Sequence, residues 1–271
     1  MKPAWSWQFE RETLRDAPAL DLDGPITPEW AWGGADGAGV KVAIVDSGVE
    51  DGHPLVGRVD GAVALDYDAD APGRVRETAG PHADLFGHGT ACAGIVRALA
   101  PACEIHSIRV LGERLTGKGY VFAAGVRWAV EHGMHVANLS LSTGARGHFG
   151  RFHEVVDEAY FRRTMLVSAI SNVRGASYPS EFAGVFSVAA TDRTDPFEFE
   201  YNPEGPVEFG APGIDLEVAW RNGSTIRTTG NSFAAPQIAG LVALILSKHP
   251  GLAPFQVKTI LAACAFNGPG R

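Results

Sequence analysis

The chain has 271 residues, 45% of them hydrophobic, enough for one sizeable core with no visible boundary to a second. Its formal net charge is -8 and no Lys/Arg cluster stands out, which argues against a nucleic-acid partner. The longest apolar run, residues 238–246, is far short of the roughly 20 residues that span a bilayer. The opening stretch "MKPAWSWQFERETLRD" lacks the apolar core of a secretion signal. Cys92, Cys103 and Cys264 offer no paired spacing and read as buried thiols in a reducing compartment. A cytoplasmic protein with no membrane contact is the expectation.

Residues 1–39 are rich in Trp, Pro and Gly and show no sustained periodicity. "VKVAIVD" (40–46) is a short, β-branched apolar run, the pattern of a strand buried on both faces. Residues 105–111, 135–141, 165–170 and 185–190 have the same character. Helical patterns alternate with them at 88–99, 117–133, 152–163, 232–248 and 254–265, the last with a Pro at its start. This alternation predicts an α/β fold with a mostly parallel central sheet and helices on both faces. In such a fold strand C-termini and helix N-termini share one edge, where ligands bind.

Four residues that carry chemistry fall at that edge. Asp46 ends the first strand ("VAIVDSGVEDGHP") and His88 opens a helix ("DLFGHGTACAGIV"). Asn172 follows a strand ("LVSAISNVRG") and Ser232 opens the longest helix ("GNSFAAPQIAG"). A carboxylate, an imidazole, an amide donor and a hydroxyl are the parts of an acyl-transfer site. Ser232 needs a base to take its proton, and His88 can serve near neutral pH. Asp46 would fix the imidazole tautomer and stabilise the imidazolium. The Asn172 amide and the Ser232 backbone N–H would meet the oxyanion at the positive end of the helix. Ala234 and Ala235 keep the helix start small, and Pro236 is read as tolerated in a first turn whose N–H groups are unpaired anyway. Cys92 reads as packing along the helix that begins at His88.

The order Asp…His…Ser is the subtilisin order. "DSGVEDGHP", "GHGTACAG" and "GNSFAAP" each resemble a motif of the subtilisin-like serine proteases, and the likeness runs from about residue 25 to residue 265. The resemblance implies a three-layer architecture, a triad of Asp46, His88 and Ser232, and Asn172 as oxyanion donor. It also implies that Ser140, Leu141 and Ser142 on one side, and Thr116, Gly117 and Lys118 on the other, pair with an extended peptide substrate by strand addition. Ser177 would help form the pocket for the residue before the scissile bond.

The chain departs from that pattern at Ser171, Asn231 and Phe233, where the family usually has Gly, Thr and Met. Many relatives bind calcium through an Asp just after the "HP" and through an Asn-rich loop in the helix after the His. Here that position is Leu55 and "GIVRALAPACEI" runs straight through, so neither this calcium nor any other cofactor or metal is expected. One catalytic domain over residues 1–271 is expected, with 1–24 as an N-terminal extension, no prodomain, and a C-terminus that stops short of the family's last segment. The expected function is a serine endopeptidase that processes a peptide or protein precursor. A peptide-binding pseudoprotease and an acyl-transferring or esterase relative are the alternatives. Oligomeric state is left open.

Overall fold

Strand β1 (Lys41–Asp46) sets the architecture: Val42 and Ile44 face one core while Ala43 and Val45 face another. The alternation follows from the two-residue period of a strand, and it places apolar side chains on both faces of the sheet. The same division recurs in β6 (Met165–Ala169), where Met165 and Val167 join the first core and Leu166 the second. The computed structural model describes Ala4 and residues 24–268. The expected N-terminal extension lies almost wholly outside the described residues.

β1 pairs in parallel with β4 (Glu104–Arg109) on one side and β5 (Val136–Leu139) on the other. Outward from β4 comes β2 (Gly61–Tyr67), parallel to it, and then β3 (Val75–Ala79), antiparallel at the edge. Outward from β5 come β6, β7 (Phe186–Thr191) and β9 (Phe209–Pro212), all parallel, and then the short antiparallel β8 (Glu200–Tyr201). The sheet order is therefore β3-β2-β4-β1-β5-β6-β7-β9-β8. The chain builds outward from one side of β1 before crossing to the other, so the order reverses at β1, the place where α/β sheets open a crevice.

Helices α2 (His88–Leu99), α5 (Asn231–Lys248) and α6 (Pro254–Cys264), with the short α1 (Pro28–Trp32), cover the face of Val42 and Ile44. Helices α3 (Gly119–Glu131) and α4 (Phe149–Phe161) cover the other. α5 is apolar nearly all round, as a helix packed within a core must be, and fourteen of its eighteen residues are buried. A separate hairpin, β10 (Leu216–Trp220) with β11 (Ser224–Thr228), stands off the sheet. It packs Val218 against Ala91, Ile95 and Phe233 in a third small cluster beside the start of α2. The predicted parallel sheet with helices on both faces is the fold observed.

Candidate active site

The carboxyl edge of β1 carries Asp46, fully buried, and α2 begins at His88, 5% exposed. His88 Nδ1 lies 2.9 Å from Asp46 Oδ1 and 2.8 Å from Oδ2. The carboxylate can only accept, so Nδ1 carries the proton and Nε2 is left with its lone pair. The Ser47 N–H donates to Asp46 Oδ1 at 2.7 Å and fixes the carboxylate from behind. Two glycines let this arrangement close. A Cβ on Gly89 would stand 2.0 Å from the Gly48 carbonyl oxygen, and Gly87 has φ 114 with the Trp220 indole against its Cα.

The cap at Gly87 has no side chain, so the first turn of α2 is capped from elsewhere. Asp84 accepts from the Thr90 N–H (2.9 Å) and hydroxyl (2.6 Å), from the Phe86 and Gly87 N–H groups, and from the Ser47 hydroxyl at 2.8 Å. Ser47 Oγ in turn accepts from the Gly89 N–H. A second buried carboxylate, saturated with donors, therefore ties the helix carrying His88 to the strand end carrying Asp46. Asp84 lies outside the "GHGTACAG" motif that marks His88. The signal that could have found it is an acidic residue just ahead of a helix whose own cap is Gly.

Burial, the largest single influence on His88, favours the neutral ring, but the charge and hydrogen bond of Asp46 outweigh it, and Asp84 adds to them. The net effect raises the imidazole above the usual histidine value of 6.5.

Ser232 is the second residue of α5. Pro236 is the sixth, beyond the first turn, so the reading of that proline requires correction. At this position the missing N–H is the one that would have bonded to the Ser232 carbonyl. That carbonyl accepts instead from Ser140 Oγ at 2.7 Å, and Cys92 Sγ lies 3.6 Å away. Asn138 donates to the same Ser140 hydroxyl at 3.0 Å. The proline thus frees an acceptor that the end of β5 captures. Burial, followed by the charge of Asp46, pushes the Cys92 thiol well above its ordinary value. It stays protonated, in keeping with a packing role.

Asn231 and Phe233, the departures beside Ser232, both make specific contacts. Asn231 Nδ2 donates to the carbonyls of Ile170 (3.1 Å) and Ser171 (3.4 Å), and its Oδ1 accepts from the Ala190 N–H at 2.9 Å. Its own N–H donates to Asn172 Oδ1 at 3.1 Å. One residue therefore joins the start of α5 to the loop after β6 and to β7. With Oδ1 taken, the Asn172 amide nitrogen is the group left for the cleft. Phe233 stacks obliquely on the imidazole, with ring centroids 5.3 Å apart.

His88, Ser232 and Asn172 line one cleft of about 480 Å³. No hydrogen bond joins Ser232 Oγ to His88 among the described residues. Thr116, Gly117 and Lys118 form one flank, with Ser140, Leu141 and Ser142 opposite. Gly117, Leu141 and Ser142 make no main-chain hydrogen bond to another described residue, which leaves edges that an extended peptide can pair with. Ser177, expected in the pocket, is fully buried and does not line the cleft. Its hydroxyl accepts from the Ser171 N–H at 2.9 Å and lies 2.7 Å from Ser180 Oγ, so it braces the wall from behind.

A buried carboxylate–imidazole pair that opens on a hydroxyl at a helix start, with an amide donor beside it, is the constellation of acyl transfer. Comparison with known proteins gives it a family. A profile described as "Subtilase family" matches residues 37–270. The chain belongs to the subtilase family. Subtilases are the subtilisin-like serine endopeptidases, and this one is 31% identical over 239 residues to Subtilisin Savinase of Lederbergia lenta, covering 84% of each chain. It is equally identical to M-protease of Shouchella clausii, but spans only 59% of that protein's length. Among solved structures, a cold adapted subtilisin-like serine proteinase superimposes with a TM-score of 0.69 at 26% identity, over 84% of this subtilase and 82% of the other.

Proposed function

We propose that this subtilase cleaves peptide bonds through an acyl-enzyme on Ser232, with His88 as the base, Asp46 as its orienting carboxylate and the Asn172 amide with the Ser232 N–H at the oxyanion. The observation that carries the reading is the buried Asp46–His88 pair facing a cleft shared with Ser232 and Asn172. The substrate lies extended between 116–118 and 140–142 and is read largely through its main chain.

The finer reading is limited processing of a precursor peptide inside the cell. What supports the intracellular setting is that Cys92 and Cys103 are buried free thiols. Mass spectrometry of products from a peptide library tests both levels, with native protein set beside Ser232→Ala. Discrete cleavages that vanish in Ser232→Ala are expected, as is labelling of Ser232 by a phosphonate probe. A folded native protein that neither cuts nor labels would refute the peptidase. Indiscriminate degradation of unfolded proteins would refute the processing role alone. The missing Ser232–His88 hydrogen bond favours one alternative, a groove that holds peptides without cutting them. Peptide binding that is identical in native protein and Ser232→Ala, with no turnover in either, is its signature.

A further inference from the structure

Away from the cleft, the far end of α2 meets two loops, residues 53–60 after β1 and the tight connection 100–103 leading into β4. Arg97, in the last turn of α2, projects its guanidinium between them. Nε donates to the Val56 carbonyl at 2.9 Å and Nη2 to the Arg58 carbonyl at 3.1 Å. Nη1 donates to the carbonyls of Pro101 at 3.0 Å and Cys103 at 2.5 Å. Four main-chain oxygens from two loops thus converge on one fixed positive charge.

The likeness to subtilisins implies a calcium ion in this part of the fold, and the residues present do not fit one. A hard cation needs about six to eight oxygens, usually with carboxylates among them. The residue after His53 and Pro54 is Leu55, whose apolar side chain is half exposed. Asp60, a nearby carboxylate, is already held by the Ile105 N–H and by Arg58 Nε. The four convergent carbonyls are taken by Arg97, and the four-residue connection leaves no loop to wrap an ion. The rest of loop 53–60 is braced internally. The His53 carbonyl accepts from the Val56 and Gly57 N–H groups, and its ring bridges the Leu55 N–H and the Ser224 carbonyl.

We infer that Arg97 acts as a built-in cation that closes this junction, in the role a bound metal would otherwise fill. A guanidinium suits the task because it is permanently charged and presents five N–H donors in a rigid fork. It also lies at the C-terminal end of α2, where the helix dipole favours positive charge. The device sits on the helix that begins with His88, so it anchors the far end of the element that presents the base.

Thermal unfolding of the full chain, followed by circular dichroism in millimolar calcium and in excess EGTA, tests the inference. A serine-reactive phosphonate is added so that self-digestion does not contribute. The expected result is one Tm for native protein in both buffers and a fall of about 5–10 °C for Arg97→Ala in both, since four main-chain acceptors, two of them part-buried, lose their donor. If Arg97→Ala does not fold, Arg97→Lys keeps the charge but not the fork, and a smaller calcium-insensitive fall is expected. A native Tm that rises with calcium, or an Arg97 variant with the native Tm, would overturn the inference. Unfolding is read independently of turnover, so neither outcome depends on the peptidase reading.

Discussion

The helices that begin at the cleft, α2 with His88 and α5 with Ser232, are anchored by different physics. The start of α2 is held by two buried carboxylates: Asp46 on the imidazole, and Asp84 on the first-turn N–H groups and the Ser47 hydroxyl. The start of α5 is held by neutral groups, with Ser140 on the Ser232 carbonyl and Asn231 on the loop after β6 and on β7. Charge-assisted hydrogen bonds are about twice as strong as neutral ones and bring a pH dependence that neutral ones lack. In the proposed mechanism the base is thus locked and tuned by charge, while the nucleophile is placed by shape and main-chain geometry.

Removing each half in turn sharpens the contrast. Ser232→Ala deletes the proposed nucleophile and should lower kcat by about six orders of magnitude with an unchanged Tm, since the anchor is the Ser232 carbonyl. Steady-state kinetics beside thermal unfolding checks both. Asp46→Asn, on the charged side, should cost about four orders of magnitude in kcat by upsetting the tautomer of His88. It should also move the acid limb of the rate profile. In the native protein His88 is raised above 6.5, so kcat/KM should rise only above that pH. The stability drawn from the pair runs the other way: it is fully present below 6.5 and is lost as pH climbs through the raised value. Without Asp46 the largest remaining influence is burial, so the residual activity should titrate below 6.5.

On the neutral side, Asn172→Ala should lower kcat by about 10²–10³-fold with little change in KM and no displacement of the acid limb. A displaced limb would show that the two halves are electrically coupled. The smallest effect belongs to Ser140→Ala, which leaves the Ser232 carbonyl only the weak Cys92 thiol donor and should cost about 1–3 kcal/mol of stability. Adding Pro236→Ala to that variant supplies an N–H for the same carbonyl and should restore part of the loss. A double-mutant cycle by denaturant unfolding measures the coupling.

Five of the seven parallel strands and the five longer helices were legible because each is a run whose apolar period is unambiguous, as in "VKVAIVD". The edges were not. β3 reads VRETA and lies largely exposed, β8 is a two-residue EY, and β9 reads FGAP, whose Gly and Pro signal a turn. These strands exist because a neighbour offers unpaired N–H and C=O groups, a tertiary fact. The site divides in the same way. Asp46, His88, Ser232 and Asn172 could be named from motifs and strand ends. The work of Asp84, Ser47 and Asn231 could not, because each joins segments distant in sequence. Pro236 was visible, but its meaning depended on the residue at which α5 begins.

Arg97 also bears on dilution. A bound ion strengthens a fold by mass action, so its contribution shrinks as free ion becomes scarce and disappears under a chelator. A guanidinium carried by the chain has no dissociation constant to satisfy. Its local concentration is set by the short methylene stem that ties it to the helix backbone in every molecule, and the junction it closes should be as firm in a single molecule as in a concentrated stock.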